Sequence, residues 1–270
     1  MPNFGGRRRV PGLRREEVAM LAGMSSEYYI RLERGNATGV SESILDAISR
    51  ALQLDDAERT HLFNLARGAD LARRPSRLRS PKQTGIKPLL RQTIEAMDNV
   101  PVFIQNGRLD GVAANALGEA LFAPLMDSEV SFMNAARFVF LDQRAQEFYP
   151  EWEKVAQEIV PVLRAEAGKS PFDRALTDLV GELSTRSEEF RQLWASQNVR
   201  EHRTGIKRIH HPLVGDLDLQ FEVMTIASEP GLQMFVFSAE RGSPSQIALQ
   251  LLANLSATFK DRSSTNEPAV

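Results

Sequence analysis

Three of the four histidines lie close in the chain to acidic residues, and such a group could bind a metal ion or transfer protons. His210 and His211 are adjacent, however, and neighbouring residues on a strand point to opposite faces, so they cannot easily share one ion. The third member of the group is His202. The chain lacks the HExxH spacing of zinc enzymes, a phosphate-binding glycine loop and the GxSxG elbow of hydrolases. We therefore expect no metal site, no cofactor and no catalytic residue.

The chain has no cysteine, which excludes disulfides, thiolate metal ligands and thiol nucleophiles and is typical of a reducing compartment. Its longest apolar run is far shorter than the roughly 18 residues that indicate a membrane span. The basic N-terminus is not followed by the apolar segment of a signal peptide. These patterns predict a cytoplasmic protein that does not act at a membrane.

Residues 14–35 have the spacing of a helix-turn-helix. Two short helices that cross at a turn need a small residue at the crossing and a residue tolerant of positive φ in the turn. Ala19 lies four residues before Gly23, and Gly23 lies six before Tyr29. Ser25 or Ser26 would cap the second helix, and Gly35 would end it. The inward positions are apolar and are filled by Val18, Ala22, Met24, Tyr29 and Leu32.

The second helix of this motif would turn polar side chains outward, where such helices contact base edges in the major groove of double-stranded DNA. An arginine there can bind guanine with two hydrogen bonds, and Glu27 could accept one from cytosine. Basic residues before the motif would contact backbone phosphates. The competing interpretation is a plain helical bundle with a glycine turn. The predicted DNA contacts are Arg7, Arg8, Arg9, Arg14, Arg15, Ser25, Ser26, Glu27, Tyr28, Arg31 and Arg34.

The net charge also differs between the part of the chain that contains this motif and the rest. Residues 1–82 hold 15 Lys and Arg against 10 Asp and Glu, a balance of +5, whereas the rest holds 18 against 25, a balance of −7. A basic first third could meet a polyanion, and the acidic remainder would be repelled by one. We predict a DNA-binding domain over 1–72, a basic proline-containing linker over 73–88, a second domain over 89–262 and a disordered tail over 263–270.

Domains with this motif usually begin with a further helix. Only Met1–Gly12 precedes the motif here, and the segment GGRRRVPG is not helical in pattern. Either the first helix is absent or the chain starts inside a longer one, and both interpretations stay open. Further along, Ser43 with Asp46 and Asp55 with Glu58 have the spacing of helix starts.

The second domain is predicted to be mixed. Two strands, Val100–Gln105 and Arg108–Ala114, flank an Asn106-Gly107 turn, which is a strong hairpin signal. Helical stretches follow, and three further strands lie over Gly205–His210, Asp216–Ala227 and Gln233–Ala239. A closing helix covers Ser245–Phe259. The fold class is therefore α+β: an all-α domain, then an antiparallel five-stranded sheet with helices packed on one face, as in PAS-type sensors.

Motifs along nearly the whole chain resemble bacterial XRE-type regulators with a MmyB-like ligand-binding domain. The segment PGLRREEVAMLAGMSSEYYIRLERG is similar to the family's DNA-binding core. NGRLDGVAANALGEALF, NAARFVFLDQRAQEFYPEWEKVA, LVGELSTRSEEFRQLWASQNVR and KRIHHPLVGDLDLQFE resemble its sensor domain, in the same order. The resemblance implies a cytoplasmic, nucleoid-associated bacterial regulator, dimeric, whose PAS-like domain holds a fatty acid or another hydrophobic acyl compound.

An acyl pocket needs an apolar tunnel with a few polar groups at its mouth. Arg137, in the apolar stretch AARFVFL, could bind a ligand carboxylate or form a structural salt bridge. The two asparagines could bind a ligand or cap helices, Trp152 and Trp194 could line the tunnel or the core, and His211 could bind a ligand or anchor a turn. The predicted ligand contacts are Phe103, Asn115, Asn134, Arg137, Phe138, Trp194 and His211.

Three functions compete at this point. The first is a homodimeric transcriptional regulator that binds DNA and responds to a hydrophobic small molecule. The second is an enzyme with an accessory DNA-binding domain, but no nucleophile–base pair supports turnover. The third is a protein-interaction regulator, which would be favoured if loss of Arg31 and Arg34 left DNA binding intact.

Overall fold

The structure is a computed structural model and describes residues 12–37, 39–71, 85–126, 134–196 and 204–264. The chain divides into two compact units, and each is described by itself. The first stretch of described residues in the N-terminal unit ends at Leu71, Gly168–Pro171 are grouped with that unit, and the described residues of the C-terminal unit begin at Gly85. Most of the predicted linker, the segment before Gly12 and the end of the predicted tail lie outside the described residues, so the domain boundaries stay predictions.

The described part of the N-terminal unit is helical. Its helices are α1 (Arg15–Leu21), α2 (Ser26–Glu33), α3 (Glu42–Leu52) and α4 (Asp56–Leu71). Val18, Ala19, Tyr29 and Ile48 form the buried centre, because α1, α2 and α3 each turn their apolar stripe toward it.

Side chains begin two of these helices in different ways. At α4, Asp55 and Glu58 exchange hydrogen bonds with each other's backbone N–H groups, at 2.8 and 2.9 Å, which confirms the predicted capping pair. At α3 the prediction from Ser43 was wrong. The hydroxyl of Ser41 accepts from the N–H of Ile44 and caps the helix, and Ser43 lies inside its first turn.

The described part of the C-terminal unit combines a sheet with helices, as predicted. Its elements are α5 (Pro88–Glu95), β1 (Val102–Asn106), β2 (Gly111–Ala114), α6 (Ala116–Leu121), α7 (Ala123–Met126), α8 (Ala135–Leu141), α9 (Arg144–Phe148), α10 (Trp152–Lys169), α11 (Arg174–Arg186), α12 (Glu188–Ala195), β3 (Thr204–His211), β4 (Gly215–Thr225), β5 (Leu232–Ser238) and α13 (Pro244–Ser264).

The strands form one five-stranded antiparallel sheet with the order β2-β1-β5-β4-β3. Its main core lies on one face, where the alternating residues of β4 are buried. Leu217, Leu219 and Phe221 share that face, as their period of two predicts. The core side chains of α6 to α13 pack against it.

Helices pack on both faces of the sheet, so the prediction of one covered face was wrong. Ile94 of α5 packs with Val102 and Ile104 of β1 and with Leu232 of β5 in a second, smaller core. Val102 and Ile104 alternate with Phe103, which belongs to the main core, because successive strand residues point to opposite faces.

The loop between β1 and β2 is longer than the predicted two-residue turn. The N–H of Asn106 donates to the carbonyl of Asp110, and Leu109 has a φ of 66°. The side-chain oxygen of Asn106 accepts from the N–H groups of Arg108 and Asp110. These bonds keep Arg108 in the loop, so the second strand begins at Gly111 instead.

No helix in the described part of the chain combines the length and apolar character that crossing a bilayer requires.

Candidate functional site

The N-terminal unit places α1 and α2 in the geometry of a helix-turn-helix. Gly23 has a φ of 69°, a conformation that glycine adopts without strain, and it turns the chain between the helices. The N–H of Met24 donates to the carbonyl of Ala19, which closes the turn. Ser25 is the cap of α2, since its hydroxyl accepts from the N–H of Tyr28 at 3.2 Å.

Helix α2 presents a mixed polar surface. Glu27, Arg31 and Arg34 are exposed, whereas Ser26 and Tyr28 are half-buried. The guanidinium of Arg31 lies 4.7 Å from the ring centre of Tyr28, a cation–π contact that restricts the arginine before any ligand binds. Such a restricted arginine on an exposed helix is suited to base or phosphate contact.

Two arginines lie at the start of α1. Arg14 and Arg15 are both exposed. Arg15 forms an ion pair with Glu33 at the end of α2, so a phosphate would have to compete with that carboxylate for it. Arg7, Arg8 and Arg9 lie outside the described residues. The predicted DNA contacts therefore stay predictions, and the structure places those it describes around the exposed side of α2 and the start of α1.

The C-terminal unit contains an apolar cavity between the main-core face of the sheet and the helices α7 to α10. Its free volume is about 130 Å³. The walls come from strands β1, β3, β4 and β5 and from the helical side, so both layers shape it. The lining residues are Phe103, Phe122, Tyr149, Phe221, Phe235, Phe237, Leu109, Leu125, Ala135, Val155, Ile159, Val162, Gln105, Glu158 and Lys207.

A single ion pair lies among the polar residues that line this cavity. Lys207 Nζ of β3 is 2.5 Å from Glu158 Oε2 of α10, and their side chains are 18% and 16% exposed. The ammonium also lies 5.5 Å from the ring centre of Phe221. Gln105 and Tyr149 are the other polar residues of the lining. Burial and the nearby Glu158 carboxylate raise the pKa of the Tyr149 phenol, so it stays protonated at neutral pH.

Of the predicted ligand contacts, Phe103 lines the cavity. Asn115 is the cap of α6: its side-chain oxygen accepts from the N–H groups of Val102 and Gly118, and its amide donates to the carbonyls of Met97 and Val100. These bonds hold the start of α6 against β1, and Asn115 does not line the cavity.

Asn134 has the same kind of role. It caps α8 by accepting from the N–H of Arg137, and its amide donates to Arg108 and Asp110 in the β1–β2 loop. Hydrogen bonds from Asn106, Asn134 and Arg108 lower the pKa of the Asp110 carboxyl, although burial acts in the opposite direction. Asn134 therefore ties the helix layer to the sheet outside the cavity lining.

Arg137 forms a structural ion pair, which is one of the two roles that its sequence context allowed. Its Nε lies 2.8 Å from Glu182 Oε2 of α11, and its side chain is 40% exposed. Arg137 and Arg186 together lower the pKa of the Glu182 carboxyl, against the effect of burial. The guanidinium does not line the cavity.

The remaining predicted contacts also lie outside the lining. Phe138 packs edge-to-face on Phe148. The ring of Trp194 stacks on Phe190, and the guanidinium of Arg164 lies 4.4 Å from the centre of the Trp194 ring. The other tryptophan, Trp152, donates from its ring nitrogen to a backbone carbonyl.

His211 is buried and anchors the turn after β3. Its Nε2 donates to the carbonyl of Ala120 at 3.1 Å, and its Nδ1 accepts from the N–H of Leu213. Burial lowers the pKa of this imidazole, although the bond to Ala120 acts in the opposite direction. Within the described ranges, no group of three acidic or histidine residues could hold a metal ion, and His202 lies outside them.

Sequence reasoning missed the polar residues of the cavity, although a signal for two of them exists. Lys207 lies two residues before the buried Ile209 in β3, so both side chains are on the same face of the strand and Lys207 must point toward the core. Glu158 occupies an apolar stripe of α10 with Val155, Ile159 and Val162. A charged residue on each of two inward faces predicts that the charges meet.

Comparisons with known proteins agree with the two units. A helix-turn-helix domain family matches residues 6–62, and the MmyB-like transcription regulator ligand binding domain matches residues 86–252, more than half of the chain. No curated protein matches the chain. These matches confirm the resemblance of the sequence motifs. The protein thus has a DNA-binding domain and a ligand-binding domain, and it belongs to the helix-turn-helix regulators with a MmyB-like ligand-binding domain.

Proposed function

We propose that this regulator binds operator DNA as a homodimer and changes its DNA affinity when a hydrophobic small molecule enters the cavity of the C-terminal unit. The observation that supports this most directly is the cavity itself, with aromatic and aliphatic walls between the sheet and its helices. A ligand can act in this way only if it binds two states of the protein with different affinity.

The sheet order β2-β1-β5-β4-β3, with the long helical segment inserted between β2 and β3, supports a PAS-like sensor domain. A ligand between two packed layers can favour one packing of the layers over another, which is what a sensor requires. We propose that the chain is not an enzyme, since both matched families are those of regulators.

The ligand class is that of fatty acids and other acyl compounds. The apolar lining favours such a molecule, and its size is limited. The free volume of about 130 Å³ is close to that of an engineered cavity of about 150 Å³ that binds benzene. The cavity thus suits a short acyl chain or one ring, and a longer chain requires the helices to move.

A dimer follows from the way helix-turn-helix proteins bind DNA, in which two copies contact two half-sites one helical turn apart. Cytoplasmic location follows from DNA as the partner in a bacterial cell. The basic residues Arg7, Arg8 and Arg9 are proposed as a phosphate-binding arm.

Native mass spectrometry of the mildly purified full chain tests the proposal. The spectrum should show a dimer with an added mass that organic extraction releases. Val162→Phe, which fills the cavity, should lose the added mass. Val180→Phe on α11 is the matched control, because Val180 is half-buried but does not line the cavity. An added mass that persists in Val162→Phe would place the ligand elsewhere, and a monomer without any bound molecule would contradict the proposal.

A further inference from the structure

Two buried polar side chains line the cavity without forming a hydrogen bond to protein. Gln105 is 7% exposed and Tyr149 is 6% exposed, and both belong to the lining. Within the described part of the chain, neither the amide of Gln105 nor the hydroxyl of Tyr149 has a hydrogen-bond partner. Both residues line the cavity, so a ligand or water molecule there could reach their polar groups.

Such side chains are uncommon in folded proteins. The large majority of buried polar groups have a partner, because leaving one unpaired costs its full desolvation penalty. Gln105 lies on the same face of β1 as Phe103, and Tyr149 follows α9, so the two approach the cavity from opposite layers. An amide and a phenol on opposite walls are suited to holding one polar group of a ligand between them.

The charges at the cavity already cancel. Lys207 and Glu158 pair with each other at 2.5 Å, and no other charged residue belongs to the lining that the structure describes. A ligand carboxylate would add a negative charge beside Glu158 in an apolar space. That addition is unfavourable unless a proton is taken up or the pair is broken. A tyrosine has no cationic form, so Tyr149 cannot supply a compensating positive charge, and its protonated hydroxyl offers only hydrogen bonds.

We propose, on the basis of the ligand-sensing function above, that the cavity selects an uncharged ligand whose one carboxamide or hydroxyl group hydrogen-bonds to Gln105 and Tyr149. The apolar part of the ligand packs among the phenylalanines of the lining. Within the acyl class, the preferred molecule is therefore an amide or alcohol rather than a free acid.

Hexanamide and hexanoate test this assignment, because they share the same carbon chain and differ in the charge of the head group. Their affinities for the full-length dimer are measured by ligand-observed NMR at pH 7.5. Hexanamide should bind at least about tenfold more tightly than hexanoate, since a hydrogen-bonded site discriminates strongly against the wrong head group. Lowering the pH toward 5 should strengthen hexanoate binding as its carboxyl takes up a proton.

Two variants test whether Gln105 and Tyr149 bind the head group of the ligand. Gln105→Leu and Tyr149→Phe should each weaken hexanamide binding by about three- to tenfold, the range expected for one hydrogen bond. Arg137→Ala is the control and should leave both affinities unchanged.

The possible failures are distinct. If hexanoate binds more tightly than hexanamide and Lys207→Met abolishes its binding, the site is a carboxylate site: the proposal of an uncharged ligand is wrong, while the sensing function stands. If neither compound binds, and neither alters the unfolding midpoint, both proposals are wrong.

Discussion

Lys207 of β3 and Glu158 of α10 form an ion pair of 2.5 Å that joins the sheet to its helix layer at the wall of an apolar cavity. The pair lies beside Phe221, whose ring contacts the ammonium. It holds together the two layers between which a ligand would enter. Substitutions at this pair should therefore affect both the stability of the C-terminal unit and its response to a ligand.

Lys207→Met should lower the free energy of unfolding by about 1–3 kcal/mol. Breaking a fully buried pair costs about 3–5 kcal/mol, and the residual exposure of both side chains reduces that figure. Urea unfolding measures the change. Arg208→Met is the control, because its pair with Glu151 is exposed and should contribute less than about 1 kcal/mol. Equal losses in the two variants would show that the cavity pair is no stronger than a surface one.

Replacing the whole pair should be less damaging than breaking it. In Lys207→Met with Glu158→Leu no charge is left unpaired, so the double variant should recover most of the stability lost in the single one. A double variant that loses the sum of both single losses would contradict this account of the pair.

Arg31→Ala and Arg34→Ala should each weaken binding to a duplex selected by the full-length protein by about 1–3 kcal/mol if they contact bases. Fluorescence anisotropy on the labelled duplex measures this effect. Arg59→Ala is a suitable control, because Arg59 belongs to the same unit but pairs with Asp46 between α3 and α4. An unchanged affinity in both test variants would rule out α2 as the recognition helix and favour a protein-interaction role.

DNA affinity should fall steeply with salt, because bound arginines release the counterions of the phosphates. Replacing Arg7, Arg8 and Arg9 together by alanine should lower the slope of log affinity against log salt by up to about 2.7, roughly 0.9 for each phosphate contact. The same titration on Arg208→Ala, in the other unit, should keep the original slope. If the triple variant has the same slope as the natural chain, these three arginines do not contact the DNA phosphates.

The stability of the C-terminal unit should depend on pH through His211. Burial lowers its pKa from the ordinary 6.5, so below about pH 6.5 the unfolded chain takes up a proton that the folded chain does not. The contribution of His211 is therefore complete above pH 6.5 and is lost as the pH falls through the lowered value, by at most about 1.4 kcal/mol per pH unit. The stability advantage of the natural chain over His211→Gln should shrink between pH 7.5 and 5.5.

The elements of the C-terminal unit could be predicted because their signals are local. The alternation of Leu217, Leu219 and Phe221 depends only on the strand period, and the core shows it. The turn at Asn106-Gly107 was misplaced because the Asn106 side chain bonds to the backbone of the loop and extends it, a competing local interaction that the dipeptide rule does not include.

The partners of polar residues were harder to predict. Arg137 pairs with Glu182, which lies far along the chain on another helix, and nothing near Arg137 in the sequence indicates that carboxylate. Gln105 follows the apolar run Val102–Ile104, and its burial without a partner depends on the cavity that four strands and a helix layer form together. Such relationships arise from tertiary packing and not from spacing.

The central claim is that occupation of the cavity changes DNA binding, and the affinity of the full-length protein for its selected duplex, with and without ligand, tests it most directly. The ligand is added first as an organic extract of the purified protein and then, in a separate titration, as hexanamide. The account predicts an affinity change of about fivefold or more in the natural chain and in Val180→Phe, and none in the cavity-filling Val162→Phe. The same affinity with and without ligand in the natural chain, or an equal response in Val162→Phe, would contradict it.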